Sequence, residues 1–86
     1  MQRRWVVSPH YRAAIGAIKV ARNEQGVSQR ELARRLGRPP SFVNKIEQLE
    51  RRLDVVEFIA IARALDLNPE ILLKSVIEAL GADIQL

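Results

Sequence analysis

The stretch Gln29-Arg30-Glu31-Leu32-Ala33-Arg34-Arg35-Leu36-Gly37-Arg38-Pro39-Pro40-Ser41-Phe42-Val43-Asn44-Lys45-Ile46 decides the fold. Leu32, Ala33 and Leu36 recur at helical spacing and make one buried stripe. Gly37 permits a left-handed turn and ends that helix after about eight residues. Pro39 and Pro40 suit a helix start, where a missing amide costs nothing. Val43 and Ile46 then lie three apart and face inward, while Ser41, Asn44, Lys45 and Gln48 fall on the opposite face. Phe42 lies between the two faces, as core or as an edge turned toward a ligand.

Start and stop signals continue outward from there. Ser28 followed by Glu31 predicts a capping box at the head of the helix just described. Before it, Ser8-Pro9 starts a helix carrying Ile15, Ile18 and Ala21, with Gly26 as its stop. After it, Gln48 to Leu53 is charged and predicts a loop. Asp54 with Glu57 predicts a second box and a fourth helix, with Val56, Ile59, Ala60 and Leu65 on its inner face. Asn68-Pro69-Glu70 starts a fifth, running through Leu72, Val76 and Leu80 to Gly81. Trp5-Val6-Val7 and Ile84-Gln85-Leu86 are the only candidate strands. The fold class expected is all-α, five short helices around one core.

Composition narrows the function. Eighty-six residues leave room for one small domain. With 48% hydrophobic and 28% charged residues the chain folds rather than staying disordered. The absence of Cys excludes a disulfide framework, a thiol nucleophile and a zinc finger, and His10 alone excludes a multi-His metal site. No metal or cofactor is expected. The longest apolar run, Phe58 to Ala62, is far too short to span a membrane, and the few apolar residues after Arg3 and Arg4 make no signal peptide, so the expected location is cytoplasmic. Charge is divided: residues 1–52 hold 12 of the 14 Lys and Arg and 4 of the 10 Asp and Glu, a net +8. Residues 53–86 hold the other 2 and 6, a net −4. The first part is suited to a polyanion.

Two helices joined tightly through Gly37 form a helix-turn-helix unit, about residues 29–48. Gln29, Ala33, Gly37, Val43 and Ile46 resemble the Cro/CI-type, or XRE, helix-turn-helix family in register. Arg22 to Gln29 resembles that family's passage between its first two helices. Ile46-Glu47 with Arg51-Arg52 resembles its exit from the third, and Ile59 to Leu65 with Ile71 to Leu73 its closing helices. The resemblance covers roughly residues 11 to 80 and implies a lambda-repressor-like DNA-binding domain over 8–80. An arm at 1–7 and a tail at 81–86 flank it.

The resemblance also implies roles. The third helix enters the major groove of double-stranded DNA and places Pro40, Ser41, Asn44 and Lys45 at base-reading positions. Pro40 departs from the family, which often has Gln there, so Ser41, Asn44 and Lys45 carry more of the readout. Gln29 resembles the family's phosphate-clamping Gln, and Arg38, Arg51 and Arg52 flank the recognition helix as phosphate ligands. Arg22 and Glu47 occupy the positions of a structural ion pair that orients the reading helix. Leu49 is a second departure, since the family usually has Gly or a small polar residue there. Either the helix runs longer or Leu49 and Leu53 form an apolar patch, with core favoured for Leu53.

The remaining polar residues read more plainly. Arg30, Arg34 and Arg35 suit solvated surface, His10 is solvent-facing, and Ser8 and Ser28 are caps without a base to make either a nucleophile. Arg3, Arg4 and Trp5 form either a frayed end or an arm that wraps the duplex. No enzyme is expected. The function expected is a transcriptional regulator, a repressor, binding a palindromic operator as a homodimer through the fifth helix and tail. Half-sites would lie about 34–36 Å apart. The alternative is a helical protein-interaction module, such as an antitoxin or adaptor with a toxin or other protein as partner.

Overall fold

A computed structural model describes residues 7–84. Among them the chain forms helices α1 (Pro9–Glu24), α2 (Gln29–Arg35), α3 (Phe42–Glu47), α4 (Val55–Ala64) and α5 (Pro69–Leu80), and no strand. Four starts are capped by side chains at the residues whose chemistry predicts it. Ser8 accepts from Tyr11 N, Ser28 from Glu31 N, Asp54 from Glu57 N and Asn68 from Glu70 N. At Asp54 the box is complete, because the Glu57 carboxylate also accepts from Asp54 N. At Ser28 the expected box is only half made. The Glu31 carboxylate takes Arg34 and Arg35 instead of the Ser28 amide, since two guanidiniums attract a carboxylate more strongly than one neutral N–H.

The four joins between helices share one ending. The first residue past each cap is left-handed: Gly26, Gly37, Leu49 and Asp66, with φ of 69°, 66°, 63° and 59°. In each, this residue's N–H bonds back three positions and the next N–H bonds back five, as in Leu49 N to Ile46 O (3.0 Å) and Glu50 N to Lys45 O (2.9 Å). That pattern satisfies the carbonyls a helix end leaves open. Leu49 therefore ends α3 rather than extending it. Its side chain is 5% exposed and belongs to the core. The left-handed conformation costs about 1–2 kcal/mol, which burial of a leucine, worth about 1.5–3 kcal/mol, offsets.

The core gathers Ile15 and Ile18 of α1, Leu32 and Ala33 of α2, Val43 and Ile46 of α3, Ile61 of α4 and Val76 of α5, with Leu65. Phe42 is buried with them, and Leu53 packs against the cluster from the loop. Long α1 packs against α5, while α2 and α3 pack against each other and present α3 outward. The inner face of α4 differs from the expected one. Ile61, Ala62 and, in part, Phe58 turn inward, whereas Val56 and Ala60 are exposed and Ile59 is half-buried. This helix is apolar on nearly every side, so periodicity does not choose its face. Val7 and Ile84 are irregular, and the rest of the two candidate strands lies outside the described residues. His10 is half-buried rather than solvent-facing.

Candidate nucleic-acid interface

Helix α3 is seated by its buried side chains. Val43 and Ile46 hold it to the core, and Phe42 locks its first turn. Pro40, Ser41, Asn44, Lys45 and Gln48 are all exposed. Asn44 and Lys45 lie on the outward face of α3, with Pro40 and Ser41 just before the helix and Gln48 at its end. Ser41 precedes the helix without a side-chain capping bond, so its hydroxyl is not consumed by the backbone. The helix itself begins at Phe42, its N–H bonded to Pro39 O at 2.9 Å.

The orientation of α3 is fixed at its far end by one carboxylate. Arg22 Nε donates to Glu47 Oε2 at 2.7 Å and Nη2 to Oε1 at 3.0 Å, while Nη1 donates to Val27 O at 2.7 Å. The two side chains are 8% and 5% exposed. Gln29 Nε2 adds a third hydrogen bond to Glu47 Oε1 at 2.8 Å. Glu47 therefore joins the end of α1, the start of α2 and the end of α3. A buried pair so fully hydrogen-bonded is the form in which ionic groups survive in a core. Gln29 keeps one amide N–H beyond this bond.

The flanking arginines differ in their engagement. Arg38 is exposed and stacks over the Phe42 ring at 5.3 Å; Arg51 lies over the same ring at 4.7 Å. Arg51 also holds Glu57 through two bonds, of 3.0 and 2.5 Å, and donates to Arg52 O. This pairing raises the Arg51 pKa and lowers that of Glu57. Arg52 is exposed and lies over the Tyr11 ring at 5.7 Å. The Tyr11 hydroxyl accepts from Leu53 N at 2.9 Å, tying the loop after α3 to α1. Burial pushes the Tyr11 phenol up from its ordinary range.

The structure thus brings Arg22, Gln29 and Glu47 together and leaves Pro40, Ser41, Asn44 and Lys45 exposed on and just before α3. Arg38 and Arg51 share the Phe42 ring, and Arg52 stands apart against Tyr11. Two contacts that close the end of α4 also escape the sequence. Arg35, besides pairing with Glu31, donates to Ala64 O at 2.8 Å and so closes the end of α4. Gln25 does the same for Leu65 O at 2.8 Å. The four-residue spacing from Glu31 to Arg35 is a local signal, but the distant carbonyls are visible only in three dimensions.

Among the described residues no cluster of His, Cys, Asp and Glu suits a metal ion, and no helix is long and apolar enough to cross a membrane.

Comparison with known proteins gives a consistent result. A family model described as helix-turn-helix matches residues 18–72. Among solved structures, an XRE-family like protein from Pseudomonas syringae pv. tomato str. DC3000 is similar at 45% identity and a TM-score of 0.75, over 85% of this chain and 88% of that one. The restriction-modification controller protein C.Esp1396I has the same fold, with 22% identity and a TM-score of 0.78 over 86% of this chain and 97% of its own. A tyrosine-to-phenylalanine variant of that controller is similar at 25% identity and a TM-score of 0.77, over 91% and 100%. No curated protein matches the chain.

Proposed function

The chain belongs to the XRE family of helix-turn-helix DNA-binding proteins, and on that premise we propose that it is a sequence-specific transcriptional repressor acting as a homodimer. One observation carries the reading: α3 is anchored by buried Val43 and Ile46 and exposes Asn44 and Lys45, with Pro40 and Ser41 exposed just before it. In the major groove each base pair displays its own donors and acceptors. Lys45 donates to guanine O6 or N7, Asn44 pairs with adenine, Ser41 accepts or donates, and Pro40 offers an apolar contact to a thymine methyl. The Arg22–Glu47–Gln29 cluster holds the helix at a fixed angle, so these side chains arrive together rather than one by one.

Phosphate contacts come from Gln29, Arg38, Arg51 and Arg52. Arg51 is the weakest of the four in this reading, since Glu57 already matches its charge. One monomer covers little DNA, and a dimer on a palindromic site doubles the contact. Exposed Ile71, Leu73 and Ile77 on α5 supply apolar surface for the second copy. Similarity to a variant of a restriction-modification controller supports a regulatory role. The domain from 8 to 80 then works with the arm at 1–7 and the tail at 81–86 as its flanks.

Selection from a random duplex pool at low salt tests the proposal. The expected product is an enriched palindrome whose half-sites are about one helical turn apart. Recovery of unenriched sequence would contradict it.

A further inference from the structure

Beside the start of α3 lies a groove of about 370 Å³, lined by Ser28, Arg30, Glu31, Arg34, Arg38 and Pro40. Three guanidiniums face one carboxylate there. Glu31 holds Arg34 bidentately, Nε to Oε1 at 2.8 Å and Nη2 to Oε2 at 2.7 Å, yet the Arg34 side chain is still 72% exposed. Three of its five N–H donors are left for a ligand. Arg30 and Arg38 form no salt bridge among the described residues. Arg34 and Arg35 keep the Glu31 carboxyl ionised down to a pKa of about 2, so its charge stays matched internally and the groove remains basic.

We propose that this groove receives the phosphate backbone of the bound duplex, making Arg30 and Arg34 phosphate ligands alongside Arg38. The proposal rests on the DNA-binding reading of α3. Its physical basis is adjacency: Arg38 and Pro40, which lead into α3, form one wall of the groove. A helix in a major groove about 12 Å wide has a phosphate strand along each side. A strand passing the head of α3 meets this wall. Guanidinium forks match phosphate oxygens in shape and charge, and Arg34 is already held in one orientation by Glu31.

The test uses the duplex that the full chain selects from a random pool. Binding is measured against salt for the wild type, for Arg30→Ala with Arg34→Ala, and for Arg30→Lys with Arg34→Lys, with far-ultraviolet circular dichroism as the fold control. The alanine pair is expected to flatten the log–log salt slope by about one unit per arginine without changing the order of preferred sequences. The lysine pair should restore the slope. In parallel, single phosphates are ethylated. At least one ethylation that weakens the wild type should become neutral for the alanine pair. An unchanged slope in the alanine pair overturns the groove while leaving the α3 reading intact, as does a lysine pair no better than alanine. A wild type that selects no duplex overturns both, and an acidic protein becomes the ligand to seek.

Discussion

Leu49 and Asp66 hold the same left-handed position at two helix ends and do so for different reasons. Leu49 is tied there by its buried side chain, whereas Asp66 is exposed and gains nothing from its neighbours that a glycine would lose. Asp66→Gly should therefore stabilise the fold by about 0.5–1 kcal/mol, read as a higher midpoint in urea. Glu47→Ala acts in the opposite direction. It strips partners from buried Arg22 and from Gln29, and should cost about 3–5 kcal/mol; thermal unfolding by circular dichroism gives the value. Chain chemistry alone marks Leu49 as unsuited to this conformation. That local rule is outweighed by burial against residues brought from elsewhere in the chain. The pairing of Arg22 with Glu47 follows from the family resemblance, but the Gln29 bond to the same carboxylate is not visible until α2 and α3 are packed.

Among the elements, α4 depends most on charge chemistry at its start. Glu57 accepts from Asp54 N and from Arg51, and its pKa is lowered chiefly by that arginine. A depressed carboxyl adds stability that is fully present above its ordinary value of 4.5 and is lost as pH falls through its lower folded value. Glu57→Gln should therefore be less stable than the wild type above pH 5 (about half a unit over that value), with the gap closing under acid. Denaturation at pH 3 and pH 7 for both proteins measures it. The start of α4 is legible in the sequence because Asp54 and Glu57 act locally. Its buried face is not, because Val55, Val56, Phe58, Ile59 and Ile61 leave no polar side to orient it. For α3 the situation reverses. Val43 and Ile46 alternate cleanly with Asn44 and Lys45, so both faces can be assigned from spacing alone.

For the whole molecule, the charge division of +8 and −4 falls near residue 52, in the loop between α3 and α4, although α5 packs against α1 across it. The basic part contains α1, α2 and α3, including the exposed residues of α3 and the arginine groove. The acidic part contains α4 and α5, with exposed Ile71, Leu73 and Ile77. The central claim is that α3 selects sequence through Asn44 and Lys45. It is tested most directly by electrophoretic retardation of the selected duplex against a scrambled one, comparing wild type with Asn44→Ala/Lys45→Ala. Both positions are exposed, so the variant keeps its fold. Loss of about 1–3 kcal/mol of discrimination per contact, with residual salt-dependent binding to both duplexes, is the result predicted. A double variant that still prefers the selected duplex as strongly as the wild type would contradict the account.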